Sequence, residues 1–414
     1  MDINKFLQEK INDKIKNLSA KELIEIDRSN FPNVIIKKNN KKIKAVSFAC
    51  NDYLGLSVNK SVKNAMIKSI KNSNIGSGGS KFIGGYCKEA RLLEEKIARY
   101  KKFENCTLFS SGYLANIGVF SSIFNENDII FADKQVHASI IDGIAISKAK
   151  LVRYNHLDHN HLKSLISKYK NPNNSSYLKT KFAVVSESVF SMSGDVENLQ
   201  ELYKIATNNN MFCIIDDAHG LGVVLKNNIT QDINNKDLYI QIGTLSKSVG
   251  LVGGYVCGSS TLIKYINNYA RTGIYNTFLS KNIIVGALKA FEIISLNLLN
   301  SPVENAKYFV KIINEKFKIK SQEFLIANIT NSAIVCINFT DITKSLDKDC
   351  KNDTILHKNI AKYLLEKGFF VRAILPPTSQ KAMIRFTFSS LHNINQINLL
   401  TESIATFFNN ICLL

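Results

Sequence analysis

Short apolar segments alternate with helical segments between residues 105 and 260, and this alternation constrains the fold more than any other feature of the chain. The predicted strands are Thr107–Ser110, Ile129–Ala132, Lys150–Tyr154, Phe182–Glu187, Phe212–Asp216, Tyr239–Gly243 and Gly254–Gly258. Strands that are apolar along most of their length and separated by helices indicate a mainly parallel sheet covered by helices on both faces. We therefore expect a large α/β domain.

The pattern changes on either side of this region. Residues 1–50 are predicted to form a helix followed by an extended segment, 51–300 the large domain, and 301–414 a small C-terminal α+β domain. The segment Met1–Leu18 has the spacing of an amphipathic helix, which we expect to pack on the body of the protein or on a partner subunit. Its acidic residues do not fit a signal or transit peptide, and no apolar run is long enough to span a membrane. A cytoplasmic location is the expectation.

Composition excludes some classes of function. The 53 Lys and Arg residues against 34 Asp and Glu give a formal charge of +19. The basic residues are scattered rather than clustered, so a compositional bias explains them better than nucleic-acid binding, although such a surface could attract an anionic thioester. The eight cysteines form no Cys-x-x-Cys pair and do not combine with histidines at ligand spacing. We expect reduced thiols and no metal site.

Lys247 lies just after a predicted strand, in the segment Gly243-Thr244-Leu245-Ser246-Lys247. A lysine there can be a surface residue, a phosphate contact or an amine nucleophile. Two hydroxyl side chains, Thr244 and Ser246, come directly before it. Hydroxyl groups bind phosphate and a lysine amine forms Schiff bases with aldehydes. We interpret Lys247 as a Schiff-base lysine.

Three other segments supply matching chemistry. Asp216 ends an apolar strand, where a carboxylate is costly unless a cation accompanies it, and His219 follows three residues later. His137 lies between a strand and a helix, where its ring could stack on a flat cofactor or transfer a proton. Ser111-Gly112-Tyr113 opens a helix, and helix N-termini bind anions. Each feature alone has an ordinary structural explanation, but together they match a pyridoxal phosphate enzyme.

At these residues the chain resembles the α-oxoamine synthase family over roughly residues 28–400. The matching motifs are Asn51-Asp52-Tyr53-Leu54-Gly55, Gly76-Ser77-Gly78-Gly79-Ser80, Ser111-Gly112-Tyr113, Val136-His137-Ala138-Ser139, Glu187-Ser188-Val189-Phe190-Ser191-Met192, Asp216-Asp217-Ala218-His219-Gly220 and Thr244-Leu245-Ser246-Lys247. The resemblance implies the type I pyridoxal phosphate transferase fold and pyridoxal 5′-phosphate as cofactor. It also implies an amino acid and an acyl thioester as substrates, and a homodimer with shared active sites.

The resemblance also implies individual roles. Lys247 would be the Schiff-base and proton-transfer group, and His137 would stack on the ring. Asp216 would pair with the pyridine nitrogen, and His219 and Ser191 would contact the ring's 3′ oxygen. The phosphate would be held by Gly112, Tyr113, Thr244 and, from the neighbouring subunit, Thr277. The substrate would be contacted by Asn51 and Arg385, at the amino-acid carboxylate, and by Arg28 and Thr378.

Within the family, the segments Gly76–Ser80, Phe190-Ser191-Met192 and Pro376-Pro377-Thr378 are most similar to members that condense L-alanine with pimeloyl-CoA or a pimeloyl carrier protein in biotin synthesis. The chain departs from that pattern at Leu375, where relatives commonly carry Arg. The open alternatives are glycine C-acetyltransferase, 5-aminolevulinate synthase and serine palmitoyltransferase types within the family, an aminotransferase or aldolase, and a non-catalytic or nucleic-acid-binding protein on the same fold. Retention of Lys247, Asp216, His219 and His137 argues against the last of these.

Overall fold

The fold is taken from a computed structural model that describes residues 2–16, 20, 22–38, 41–170, 179–224, 236–297, 299–317, 327, 331–340, 353–376 and 378–411. Its strands are β1 (Glu25–Asn30), β2 (Asn33–Lys38), β3 (Lys41–Ser47), β4 (Asn105–Phe109), β5 (Ile129–Asp133), β6 (Lys150–Tyr154), β7 (Phe182–Glu187), β8 (Phe212–Asp216), β9 (Tyr239–Thr244), β10 (Gly254–Gly258), β11 (Ile334–Ile337), β12 (Phe369–Phe370), β13 (Arg372–Ile374) and β14 (Met383–Thr387).

The helices are α1 (Ile3–Lys16), α2 (Lys60–Asn72), α3 (Lys88–Lys101), α4 (Gly112–Ile123), α5 (Ala138–Ser147), α6 (His159–Tyr169), α7 (Leu199–Asn208), α8 (Ser260–Tyr269), α9 (Arg271–Ile274), α10 (Lys281–Ser295), α11 (Pro302–Lys316), α12 (Asp353–Glu366) and α13 (Ile394–Ile411). No described helix has both the length and the apolar character that crossing a bilayer would require.

The chain divides into two compact units. The larger comprises Leu54–Ser191 and Asp195–Asn300, and the smaller comprises Met1–Tyr53, Met192–Gly194 and Ser301–Leu414. The sequence had suggested separate segments for residues 1–50 and 301–414. In the structure β3 pairs in parallel with β12, with Val46 opposite Phe369, so both segments contribute to one sheet.

The larger unit is built on a seven-stranded sheet of order β4-β10-β9-β8-β7-β5-β6. The strand pairs from β9 through β6 are parallel, and only β10 runs antiparallel to its two neighbours, β4 and β9. Val184 belongs to the core on one face of the sheet, and Val185 to the core on the other. Burial on both faces explains the continuous apolar strands. The α/β, mostly parallel architecture predicted from the sequence is confirmed.

Parallel strands end at the same edge of a sheet, and ligand sites of α/β folds lie there. In the larger unit the strands β7, β8 and β9 end in polar residues: Glu187, Asp216 and Thr244. These three strands are adjacent in the sheet. Their order therefore brings together side chains that are far apart in sequence.

The smaller unit contains two short sheets, β1-β2-β3-β12 and β11-β14-β13, around a core of its own. The strand β1 was not predicted, because its sequence, Glu-Ile-Asp-Arg-Ser-Asn, has no apolar alternation. The N-terminal helix is present as α1, but all its residues are exposed. No residue of α1 is buried against the described part of the chain, and packing on a partner stays a prediction.

Candidate active site

Lys247 lies three residues beyond the end of β9, in a turn closed by a hydrogen bond from the Gly250 N–H to the Lys247 carbonyl (2.8 Å). Its side chain is half-buried, and its Nζ lies 2.5 Å from Nε2 of His219. His219 is buried, at 4% exposure. The turn thus holds a primary amine at the sheet edge, directly against an imidazole nitrogen that can exchange a proton with it.

Asp216 is the last residue of β8 and is 5% exposed. Its Oδ1 accepts a hydrogen bond from the Ala218 N–H (2.9 Å), and its Oδ2 accepts one from Nδ2 of Asn116 (2.8 Å). Because both oxygens accept, the group is placed as a carboxylate. A buried carboxylate favours a cationic partner, and a protonated pyridine nitrogen is one.

His137 is the residue that precedes α5 and caps it. Its Nδ1 accepts the Ser139 N–H (3.2 Å) and lies 2.8 Å from the Ser139 hydroxyl. That hydroxyl also accepts a hydrogen bond from Asn116 (3.0 Å), so the polar contacts run from Asp216 through Asn116 and Ser139 to His137. Burial lowers the pKa of His137, against the opposing charge of Asp216. A neutral imidazole suits stacking on an aromatic ring.

A group of hydroxyl and amide donors lies where β4 meets α4. Ser111 caps α4 by accepting the Leu114 N–H (3.1 Å), and the first amides of the helix point outward. Gly112 lies so close to β9 that an added Cβ would be 3.2 Å from the Thr244 Cβ. The Thr244 hydroxyl lies 2.6 Å from that of Ser246. The Thr244 hydroxyl donates to the Gly253 carbonyl (2.9 Å), so the helix amides and the Ser246 hydroxyl are the donors suited to a phosphate.

These features fit pyridoxal phosphate. The amine of Lys247 matches an aldehyde, the carboxylate of Asp216 matches a protonated ring nitrogen, and the donors around Gly112 match a phosphate. All of them lie in the larger unit. No grouping of three or more His, Cys, Asp or Glu side chains suited to a metal occurs among the described residues.

In the smaller unit, Oδ1 of Asn51 accepts hydrogen bonds from Nη2 of Arg385 (3.1 Å) and from the Tyr53 hydroxyl (3.3 Å). Arg385 is 6% exposed. Burial raises the pKa of Tyr53 to about 12, although the charge of Arg385 opposes the shift. The structure therefore brings together two of the predicted substrate residues, with a neutral phenol beside them.

The other two predicted substrate residues are more open. Arg28 is exposed on β1, 5.6 Å from the centroid of the Phe31 ring, and its charge acts on Cys50, next to Asn51. Thr378 is exposed, and its N–H donates to the Leu375 carbonyl (3.0 Å). Pro377, which directly precedes Thr378, lies outside the described residues.

Comparison with known proteins decides the family. The family model for aminotransferase class I and II matches residues 43–404. The 8-amino-7-oxononanoate synthase of Petrotoga mobilis is 35% identical over 370 residues, which cover 86% of each chain.

The chain belongs to the aminotransferase class I and II family, among its α-oxoamine synthases.

Solved structures agree with this assignment. The chain matches 8-amino-7-oxononanoate synthase from Francisella tularensis with a TM-score of 0.68 at 28% identity, over 89% of this chain and 98% of the other. It matches Sphingomonas wittichii serine palmitoyltransferase with a TM-score of 0.82 at 20% identity, over 99% of each chain, which shows the shared fold. The protein is a pyridoxal phosphate-dependent acyltransferase, as the sequence had predicted.

For this α-oxoamine synthase, the structure shows the surroundings of three residues predicted to bind the cofactor: Tyr113, Ser191 and Thr277. The Tyr113 hydroxyl donates to Asp142, which leaves the backbone N–H of Tyr113, at the start of α4, as its phosphate donor. Ser191 is buried in the turn closed by the Phe190 N–H and the Asp195 carbonyl (2.9 Å). Thr277 is exposed and bridges to Ser80 of its own chain. Its contact with a neighbouring subunit's phosphate stays a prediction.

Sequence reasoning missed three polar residues of this enzyme's larger unit. Asn116 connects Asp216 to Ser139 through hydrogen bonds. The sequence feature that could have identified it is an amide side chain on the buried side of α4, which is otherwise apolar. Lys101 forms a buried ion pair with Asp217 (2.5 Å), which neutralises the carboxylate next to Asp216. Asn276 donates to the Ser110 hydroxyl, at the end of β4. Its place beside Thr277, a predicted phosphate contact, was the available signal.

Proposed function

We propose that this enzyme condenses L-alanine with a pimeloyl thioester, with loss of carbon dioxide, to give 8-amino-7-oxononanoate in biotin synthesis. The observation that carries the chemistry is the 2.5 Å contact between the Lys247 amine and His219, at the same sheet edge as Asp216. The substrates are suggested by the names of the relatives from Petrotoga mobilis and Francisella tularensis.

Pyridoxal phosphate, when bound, supplies an aldehyde carbon that combines with amines and a ring that delocalises negative charge. The Lys247 amine would hold the cofactor, and the same amine would remove the α-proton of alanine. His219 lies against that amine and accepts or returns its proton. Asp216 would stabilise positive charge on the ring nitrogen, and His137 would stack on the ring.

The remaining residues orient the reactants. Arg385 and Asn51 hold the carboxylate of alanine, since a guanidinium binds a carboxylate through two parallel hydrogen bonds. The α-carbon would then form a bond to the acyl carbon as the carbon–sulfur bond breaks, and coenzyme A or the carrier protein would leave as the thiol. The alanine carboxylate would leave as carbon dioxide, and a proton would return to the α-carbon in its place. Arg28 and Thr378 are assigned to the acyl side. Gly112, Tyr113 and Thr244 would bind the phosphate, and Ser191 would contact the ring oxygen.

A homodimer is part of the proposal. The segments that meet at Ser80 and Thr277 carry large apolar side chains that are exposed in a single chain: Ile75 (72%), Phe82 (54%), Ile83 (84%) and Tyr275 (72%). Exposed apolar groups of this size mark protein interfaces. A second copy that covers them would also bring Thr277 within reach of the neighbouring site. A cytoplasmic enzyme is the matching expectation for its location.

A second candidate is a related α-oxoamine synthase with another acyl chain, and Leu375 favours it. This half-buried residue follows β13, at a position where the family resemblance implies an arginine, and its apolar side chain cannot pair with a terminal carboxylate. Arg372, on the same strand, is exposed and faces Arg385 across the β13–β14 pair. Arg372 lies an odd number of residues from Leu375, so a strand directs the two side chains to opposite faces.

The test is a matrix of substrates with the cofactor-loaded protein. L-Alanine, glycine and L-serine are each combined with acetyl, succinyl, pimeloyl and palmitoyl thioesters, while thiol release and product mass are measured. The proposal predicts the highest kcat/KM for alanine with pimeloyl. A higher value for another pair would assign that activity instead. Absence of amino-acid-dependent thiol release from every pair would contradict an α-oxoamine synthase activity altogether.

A further inference from the structure

Glu187 is a buried carboxyl group at the candidate active site to which the mechanism above gives no task. It ends β7, is 2% exposed, and lies opposite Asp216 in the register of β7 with β8. Its Oε1 has no hydrogen-bond partner among the described residues. Two carboxyl groups thus end adjacent strands, and both are removed from water.

The surroundings of Glu187 connect two of the predicted cofactor contacts. The backbone N–H groups of His137 and Ser191 are both directed at its carboxyl group. His137 begins α5, after β5, and Ser191 lies in the turn that follows β7. A single side chain therefore touches the backbone of the predicted ring-stacking residue and that of the predicted ring-oxygen contact.

Burial and neighbouring charges determine the protonation of Glu187. The titratable groups whose charges act on it are Asp216 from β8 and Lys247 from the turn after β9, whereas His137 acts through its backbone N–H. Asp216 accepts hydrogen bonds through both oxygens, so it occupies the anionic role. Burial, then Asp216, raises the pKa of Glu187 to about 8, against the opposing effects of Lys247 and the two N–H groups.

We propose that Glu187 is a positioning residue: as a neutral acid, it holds the His137 turn and the Ser191 turn at a fixed separation beside the anionic Asp216. With Glu187 neutral and Asp216 ionised, the two carboxyl groups carry one negative charge between them, which is available to the cofactor's ring nitrogen. A second charge would be desolvated at the end of β7 without a cation of its own. The inference rests on the cofactor site and not on the proposed substrates.

Three variants separate this role from a structural one. Glu187→Gln keeps the shape and an acceptor oxygen but cannot ionise. Glu187→Ala removes the link between the two turns. Val185→Ala is the matched control, because Val185 is a fully buried residue of the same strand that lies outside the polar contacts. For each protein, the dissociation constant of pyridoxal phosphate is measured by absorbance without substrate, and the thermal midpoint of the cofactor-free form is measured across pH.

At pH 7 Glu187→Gln should bind the cofactor within about threefold of wild type, whereas Glu187→Ala should bind about tenfold more weakly, as expected for one lost hydrogen-bonded link. Val185→Ala should unfold at lower temperature without a change in cofactor affinity. The thermal midpoint of wild type relative to Glu187→Gln should fall as pH rises from about 5 to about 8, because the folded state retains a proton that the unfolded chain releases.

Two results would overturn the proposal. If Glu187→Gln weakens cofactor binding as much as Glu187→Ala, the site needs the charge of Glu187 and not a neutral acid. If Glu187→Ala binds the cofactor as well as Val185→Ala does, the residue does not position the site. Both results concern cofactor affinity alone, so neither depends on which thioester the enzyme uses.

Discussion

The larger unit carries Asp216, His219 and Thr244 buried at one edge of a single sheet, whereas the smaller unit carries its predicted functional side chains on short sheets and loops, two of them exposed. In the larger unit, hydrogen bonds connect Asp216, Asn116, Ser139 and His137 without interruption. In the smaller unit, Asn51 and Arg385 form one contact, while Arg28 and Thr378 are exposed.

The difference has a physical origin. Buried polar groups are costly unless each has a partner, so changing one member of the larger unit's network affects the others. An exposed polar side chain can hydrogen-bond to water instead of a protein partner. A different residue can therefore replace it in an enzyme that uses a different substrate. The contrast implies that sequence motifs in the larger unit are sufficient to predict the cofactor and its chemistry. We expect substrate choice to depend on the smaller unit, which carries the predicted substrate residues and Leu375.

The largest expected effect is that of Lys247→Ala. Loss of the amine should remove the visible absorbance of covalently bound cofactor and lower kcat by about 10³-fold or more, because both cofactor attachment and proton transfer depend on it. Lys264→Ala, in an exposed position of α8, is the control and should behave as wild type. Equal turnover in Lys247→Ala and Lys264→Ala would refute a catalytic role for Lys247 at the sheet edge of the larger unit.

Asp216→Asn should lower kcat by about 10²-fold, since the amide keeps the shape but supplies no charge opposite the ring nitrogen. Asn116→Ala should have a smaller effect of about tenfold, because it removes one donor to that carboxylate. Steady-state kinetics with saturating cofactor measures both. An Asn116→Ala effect equal to that of Asp216→Asn would mean that orientation, and not charge, is the essential contribution.

Arg385→Lys tests the smaller unit by itself. The ammonium cannot reproduce the two parallel hydrogen bonds of a guanidinium, so KM for the amino acid should rise about 10- to 100-fold. Cofactor affinity and KM for the thioester should stay near wild-type values. Arg372→Lys, at the exposed position across the sheet, is the matched control. If Arg385→Lys lost cofactor binding, the assignment of cofactor binding to the larger unit and amino-acid binding to the smaller unit would fail.

The smallest effect concerns stability at the turn that carries Ser191. His156 bridges Asp133 (2.9 Å) and Asp195 (3.1 Å); burial alone would lower its pKa, but hydrogen bonds to these carboxylates raise it to about 9. The charged form stabilises the fold below the ordinary histidine pKa, and this contribution is lost as pH rises through about 9.

His156→Gln should therefore lower the free energy of unfolding by about 1 kcal/mol at pH 7, with a smaller difference at pH 10. Chemical denaturation at both pH values measures this difference. A gap between wild type and variant that stays constant with pH would show that the bridge does not depend on the imidazolium charge.

Much of the larger unit could be predicted because its strands are continuous apolar runs that end in polar residues. Asp216 and Lys247 follow such runs, and the structure places both at one sheet edge. Asn116 and Glu187 could not be assigned tasks, because their partners lie on other strands and helices that only the folded register brings close. Knowing the strand order would have identified both.

The smaller unit was less predictable for a related reason. The strand β3 pairs with β12, more than 300 residues later, and local pattern carries no information about such a contact. The polar strand β1, which carries Arg28, lacks the alternation that indicates a strand. Of the predicted substrate residues, Arg28 lies on β1, Arg385 on β14, and Asn51 and Thr378 in loops, so sequence motifs identified the type of reaction more securely than the substrate.

Exchange of the α-proton of L-alanine with deuterated solvent tests the central claim most directly, because it needs the cofactor, the carboxylate site and the Lys247 amine together. Proton NMR should show loss of the alanine α-proton signal with cofactor-loaded wild type, and none with Lys247→Ala or without cofactor. Arg385→Lys should need a higher alanine concentration for the same rate. Exchange that continues unchanged in Lys247→Ala would contradict the account.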